Sequence, residues 1–160
     1  MKHLKRASLA GAALAAGLAA ATPALAEGGA HDAAIAARKA HMQLLKWELT
    51  TLGAMAKGAI PYDAEKAASA ANDLKALAGL DLHNAWPEES DSDMNQNTRA
   101  LPKIWENMED FGKKYGALQA ATEAMAAAAG KDLDSLKAAM GNVGGACKAC
   151  HKEYRKPKDG

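Results

Sequence analysis

Five residues near the C-terminus have the types and spacing for chemistry: Cys147-Lys148-Ala149-Cys150-His151. Two thiols three apart, followed at once by an imidazole, make C-x-x-C-H, the pattern through which a c-type haem is attached. The thiols add across the two vinyl groups of the porphyrin, and the imidazole supplies an iron ligand from below. On a helix, residues three and four apart share a face, so Cys147, Cys150 and His151 all point toward one bound object. Rival chemistries fit less well. A structural zinc site takes four ligands, and the chain has only two cysteines. A thioredoxin-like redox pair belongs in a βαβ context, and the sequence shows no strand alternation. A Cys147–Cys150 disulfide would close a very short loop and leave His151 unexplained.

The N-terminus reads as an address rather than as part of the fold. Lys2, Lys5 and Arg6 precede an Ala/Leu-rich stretch from Ala7 to Ala21, and Ala24 and Ala26 supply small residues before a cut. This is the build of a secretory signal over residues 1–26, and the run is too short and alanine-rich for a spanning helix. Residues 27–160 then form one domain. Loss of three basic and no acidic residues takes the net charge from +1 to −2, which gives nucleic-acid binding no electrostatic support. Export also means an oxidising compartment, expected to be the bacterial periplasm, with no stable membrane insertion. Aromatic residues are only 4 %, with a single Phe, so a core of Ala, Leu and Met is thin and a haem would fill it.

Four helical patterns must position the motif. The first spans about 32–57, with Asp32 as expected cap and Ile35, Arg38, Met42, Leu45, Leu49, Leu52 and Ala56 as its seam. The second spans about 64–78 between Asp63 and Gly79; its weak apolar face predicts a partly peripheral helix. A long connection over 80–100 follows, with a short helical turn expected inside it and Trp86 tucked against the bundle end. The third pattern runs unbroken from about Pro102 to Ala129. The fourth runs from Asp132 to Arg155, with Leu133, Leu136, Met140, Val143, Cys147, Cys150 and His151 on one face. The haem motif is therefore in phase with a core stripe. Gly141, Gly144 and Gly145 each cost about 1 kcal/mol in a helix interior, which predicts either a bulky group near the backbone or a break. Beyond Tyr154 lies a polar tail. Such an order predicts an all-α, antiparallel up-down-up-down four-helix bundle enclosing one covalently attached haem.

The far side of the iron is less determined by pattern. Met42 is either a core filler or a soft thioether ligand, and periodicity leaves both open. His41 is turned about 100° from Met42, falls outside the seam and reads as a surface residue; His31 and His83 read as solvated. Arg38 lies in the seam, and a buried Arg requires a partner for its charge.

The C-terminal C-x-x-C-H on the last of four helices, followed by Tyr154-Arg155, resembles the cytochrome c′ family, or class II c-type cytochromes. So does Arg38 with Met42 four residues on. Leu52-Gly53-Ala54-Met55-Ala56-Lys57-Gly58, leading to Pro61-Tyr62-Asp63, and Pro102-Lys103-Ile104-Trp105 resemble its low-spin branch. The resemblance covers residues 31–156. It implies one haem c with iron, Cys147 and Cys150 as thioether anchors, His151 as proximal ligand and Met42 as distal ligand, with Arg38 and Arg155 as propionate contacts. The function so implied is one-electron carriage between a redox donor and acceptor, not an enzymatic turnover, by a monomer or homodimer. Its first rival is the five-coordinate high-spin role of binding NO or CO; its second is a helical binding module without haem.

Overall fold

The computed structural model describes residues 29–158, so the expected export signal over 1–26 lies outside the described residues. Helices α1 (Asp32–Ala56), α2 (Ala64–Ala78), α3 (Lys103–Glu106), α4 (Met108–Ala128) and α5 (Leu133–Tyr154) follow in order. The long ones α1, α2, α4 and α5 make the four-helix bundle.

The caps explain most boundaries. Asp63 accepts from Lys66 N at 3.0 Å and Asp132 from Ser135 N at 2.7 Å, each satisfying a donor that a helix start leaves unpaired. Gly58 ends α1 at φ 71°, the left-handed conformation that glycine tolerates. The cap of α1, however, is His31, not Asp32; Asp32 is the first helical residue and accepts from Gly29 N at 2.7 Å.

The third pattern is two helices, not one. Asn107 leaves helical geometry at φ −143°, ψ 55°, and its side chain accepts from Asp110 N to start α4. Apolar residues continue across the joint and conceal it, although Asn107 with Glu109 and Asp110 behind it is an N-cap followed by an acidic first turn. Met108, the first residue of α4, is exposed as a result.

Helix α2 is not peripheral. Ala67, Ala71, Leu74 and Ala78 are fully buried, because alanine faces let backbones approach closely. Gly130 marks one close approach: a Cβ there would meet Ala68 Cβ at 3.0 Å and Ala64 O at 3.3 Å. Helix α5 runs unbroken through its glycines, and a Cβ at Gly141, Gly144 or Gly145 would meet nothing within 4 Å.

The core falls into two clusters. One is alanine- and leucine-rich, built from Leu45, Leu52, Ala67, Leu74, Met125, Leu136, Val143 and their neighbours. The other is aromatic: Phe111 and Tyr154 with Ile104 and Ala100, and Trp86, Trp105 and Cys150 packed against them. The polar tail is partly stitched down. Leu101 N donates to Tyr154 O at 3.0 Å and Lys156 N to Arg99 O at 2.8 Å, around a bridge between Ala100 and Arg155. Among the described residues no helix is long and apolar enough to cross a membrane.

Candidate haem site

The two thiols and the imidazole sit half-buried on α5, on the margin of the face that buries Leu136, Val143 and Tyr154. Cys147 packs against the alanine-rich cluster and Cys150 against the aromatic one. The motif thus lies across the joint between the two halves of the core. The cysteines are not bridged. Burial pushes both thiols up, keeping them as uncharged S–H groups. Burial also lowers His151, helped by the Arg155 and Arg99 charges. A neutral ring keeps a nitrogen lone pair, which is what iron ligation uses.

Register across the bundle places Met42. Buried Gly53 of α1 faces Met140 of α5; a Cβ on it would lie 3.5 Å from Met140 Cε. These neighbours run antiparallel. Eleven residues back along α1 is Met42, and eleven residues forward along α5 is His151. Eleven residues are within about 20° of three whole turns, a rise of about 16 Å on each helix. Both residues therefore return to the faces that meet at Gly53 and Met140, at the same height. Met42 is half-buried and packs against the cluster that also receives Ala146 and Cys147.

His41 is not a surface residue. It is buried at 4 % exposure, and its Nε2 lies 2.9 Å from Leu77 O on α2. Helix α1 is flanked by α2 on one side and α5 on the other, so its buried arc is wide enough to hold two adjacent residues. His41 Nδ1 and the Tyr115 hydroxyl are buried without hydrogen-bond partners among the described residues, with ring centroids 6.5 Å apart. His31 is half-buried as the α1 cap, and His83 is exposed.

Arg38 is buried at 3 % exposure, but its partners are neutral. Nη1 donates to Ala85 O at 3.1 Å and Ser90 Oγ at 2.7 Å; Nη2 donates to Ser90 O and to Thr98 Oγ1 at 2.9 Å. The guanidinium lies 4.7 Å over the Trp86 ring and 5.9 Å from that of Trp105. Burial pulls its pKa down and Asp91 pulls it back. The partner that a buried guanidinium requires is supplied within the chain by acceptors of the 85–98 connection and by the faces of Trp86 and Trp105. Arg155 is exposed at the end of α5 and close enough to act on both thiols and His151.

Sequence reasoning missed the aromatic floor beneath Cys150. Trp86 meets Phe111 at 4.8 Å and Phe111 meets Tyr154 at 5.4 Å, both edge-on. The Tyr154 hydroxyl donates to Asp110 at 2.6 Å, and Trp105 Nε1 donates to Trp86 O at 3.2 Å. These residues come from four separate stretches, so no local pattern could have grouped them.

The residues present fit a haem. Two half-buried thiols three apart and a neutral imidazole next to the second have the chemistry to anchor a c-type haem and to offer its iron a nitrogen, and the core divides at the motif. A four-helix bundle carrying this motif at the end of its last helix is a bundle-type c-type cytochrome. The sequence profile described as Cytochrome C′ matches residues 33–155. Cytochrome c-554 of Cereibacter sphaeroides is 44 % identical over 121 residues, covering 76 % of this chain and 79 % of its own. A solved cytochrome c′ from Rhodobacter spheriodes superposes with a TM-score of 0.78 at 36 % identity, covering 80 % of this chain and 98 % of that one. A nitric oxide complex of a mutant cytochrome c prime from Alcaligenes xylosoxidans has a TM-score of 0.70 at 33 % identity, covering 79 % and 97 %. The chain belongs to the cytochrome c′ family, whose members bind covalently attached haem c.

Proposed function

We propose that the chain is a periplasmic one-electron carrier, its haem anchored by Cys147 and Cys150 and its iron held between His151 and Met42. The observation that carries this reading is the register that brings Met42 level with His151 across the α1–α5 pair. The bound haem would supply an Fe(III)/Fe(II) couple. The chain contributes everything that keeps that couple unreorganised: two anchors on one helix, axial donors on two, and a packed frame between them. A thioether ligand raises the potential and closes the sixth position to other ligands. Export is supported by the N-terminal sequence, with its basic start, apolar run and small residues before the cut.

For the propionates, Arg155 is the arginine exposed beside the motif. Arg38 joins it if haem insertion draws an Nη hydrogen away from Ser90 or Thr98. The exposed Lys148, Lys152, Arg155, Lys156 and Lys158 around the motif suit docking of an acidic redox partner.

The rival reading is a five-coordinate haem that binds NO or CO, supported by the nitric oxide complex of the Alcaligenes relative. The visible spectrum of protein matured in a haem-attaching host separates the two. The expected result is a low-spin spectrum in both redox states, slow CO binding, and conversion to high spin by Met42→Ala. A high-spin wild type, or one that binds CO at once, establishes the rival instead.

A further inference from the structure

We propose that His41 is a positioning residue for Met42, holding α1 at the rotation that aims the thioether at the iron. The inference rests on the Met42 reading. Nε2 of His41 lies 2.9 Å from a carbonyl oxygen, so Nε2 carries the hydrogen and donates to Leu77 O. That carbonyl is in the last turn of α2 and also accepts from Leu80 N at 3.2 Å, so the imidazole takes up its second acceptor position. On the other side, Gln119 Nε2 of α4 donates to the adjacent Ala78 O at 3.1 Å. The end of α2 is thus bolted to α1 through His41 and to α4 through Gln119.

The bolt acts one residue before Met42 and about 100° around the same helix. It fixes the side of α1 that faces α2, and by doing so fixes where the neighbouring side points. The leverage is large. A rotation of α1 by about 20° would carry a side-chain tip about 5–6 Å from the axis through about 2 Å, whereas metal–ligand distances tolerate about 0.2 Å. The apolar contacts of α1 resist such rotation weakly, because much of the facing surface on α2 is alanine: Ala67, Ala70, Ala71 and Ala78. Arg38 fixes the preceding turn of α1 toward the 85–98 connection, and directional restraint on the α2 side falls on His41, the one side-chain hydrogen bond between α1 and α2 among the described residues.

The same ring is poor at stabilising the fold. Its Nδ1 and the nearby Tyr115 hydroxyl are both buried without partners among the described residues, and an unsatisfied buried group costs stability. His41→Leu keeps the volume, removes the orphaned nitrogen and removes the donor. A merely structural role for the bond predicts a less stable protein with an unchanged spectrum. Positioning predicts the reverse: unfolding no easier than in the wild type, but a loosened sixth ligand.

The test uses the haem-loaded protein with Met42→Ala, His41→Leu and His41→Gln, read by ferric spin state, CO binding to the reduced form, and thermal unfolding. His41→Leu is expected to raise the five-coordinate fraction and the CO binding rate about tenfold without lowering the unfolding temperature. His41→Gln, which keeps a donor for Leu77 O, is expected to restore both toward wild type. If Met42→Ala turns the protein high-spin while His41→Leu leaves spectrum and CO binding unchanged, the positioning role is overturned and the ligand stands. If Met42→Ala changes nothing, or the wild type is already high-spin, the ligand reading is overturned and the positioning role with it.

Discussion

The two halves of the core hold together by different means. The alanine-rich cluster is helix against helix: Ala67, Ala70, Ala71 and Ala78 of α2 lie under Leu45, Leu52 and Met55 of α1 and Leu118 and Met125 of α4. Small side chains let the backbones close up, and dispersion and burial do the rest. The aromatic cluster is assembled from pieces of connection, the short helix α3 and two helix ends. It is tied by polar groups, with Arg38 over Trp86 and beside Trp105 and the Tyr154–Asp110 bond at the other edge. The first half is a frame that many sequences could supply. The second is a specific junction, and the haem motif straddles the two, Cys147 on the frame and Cys150 on the junction. The difference teaches that damage to each half should look different in kind as well as size.

Arg38→Met is the sharpest break in the junction. It strips donors from two carbonyls and two hydroxyls at once. The two hydroxyls keep partners in Pro87 O and Ala100 N, but the two carbonyls are left unpaired at about 1 kcal/mol or more each and the stacking on Trp86 and Trp105 is lost, so the expected loss is about 3–4 kcal/mol. Urea unfolding gives the total. Hydrogen exchange locates it, and residues 85–98 should lose protection well ahead of α2. Uniform loss across the bundle would mean that the connection is not an Arg38-dependent unit.

Leu52→Ala breaks the frame. Leu52 is fully buried near the C-terminal end of α1, and a leucine-to-alanine cavity costs about 3 kcal/mol. Here exchange protection should fall in α1, α2, α4 and α5 together, with the 85–98 segment no worse than the rest. A loss confined to one helix pair would contradict a single cooperative frame.

The same division explains what could be read from the sequence. The frame follows from local rules: a seam at steps of three and four, Asp63 and Asp132 as caps, Gly58 and Gly79 as stops. The C-x-x-C-H face of α5 was legible for the same reason. The junction was not, because its contacts are non-local; Arg38 reaches partners 47 to 60 residues away. His41 was misplaced by a narrower error. A single seam assumes one neighbour, but α1 has two, and the residue beside the seam turns inward toward the second. The joint at Asn107 was hidden because apolar spacing carries on across it, leaving only a cap residue to announce the new helix.

Tyr154→Phe tests the edge of the junction with a smaller effect. It removes the 2.6 Å bond to Asp110 while keeping the ring against Phe111, and should lower the unfolding temperature by a few degrees at neutral pH. The bond also predicts the pH limbs. The Tyr154 hydroxyl holds the Asp110 carboxyl below its usual value, so this stabilisation is present above the unfolded carboxyl's pKa and is lost as pH falls through the lower folded one. Asp110 in turn pushes Tyr154 up to about 12, so the stabilisation is complete below about pH 10 and is lost as pH rises toward 12. The Phe variant should therefore differ most from wild type between these limbs and converge with it at both extremes. A constant difference from pH 3 to 12 would show that the bond is not what holds this edge.

The smallest expected effect marks the outer boundary of the site on α5. Gly144 and Gly145 are both exposed, and a Cβ at either meets nothing in the chain. Alanine at each should stabilise an uninterrupted helix by about 0.5–1 kcal/mol. Their directions differ. Gly144 lies two turns before His151 and within about 20° of it around the helix, whereas Gly145 is turned about 120° away, toward solvent. A haem held through His151 would lie on the side of Gly144 rather than that of Gly145. In the haem-loaded protein, Gly145→Ala should keep its full gain and leave the visible spectrum alone. Gly144→Ala should forfeit the gain and perturb the spectrum, because the added methyl would crowd a group bound on that side. Thermal unfolding of the two variants side by side decides it. Equal gains with unchanged spectra would place the ring farther along α5, over Cys150 and the aromatic floor, and would move the boundary between frame and junction toward the C-terminus.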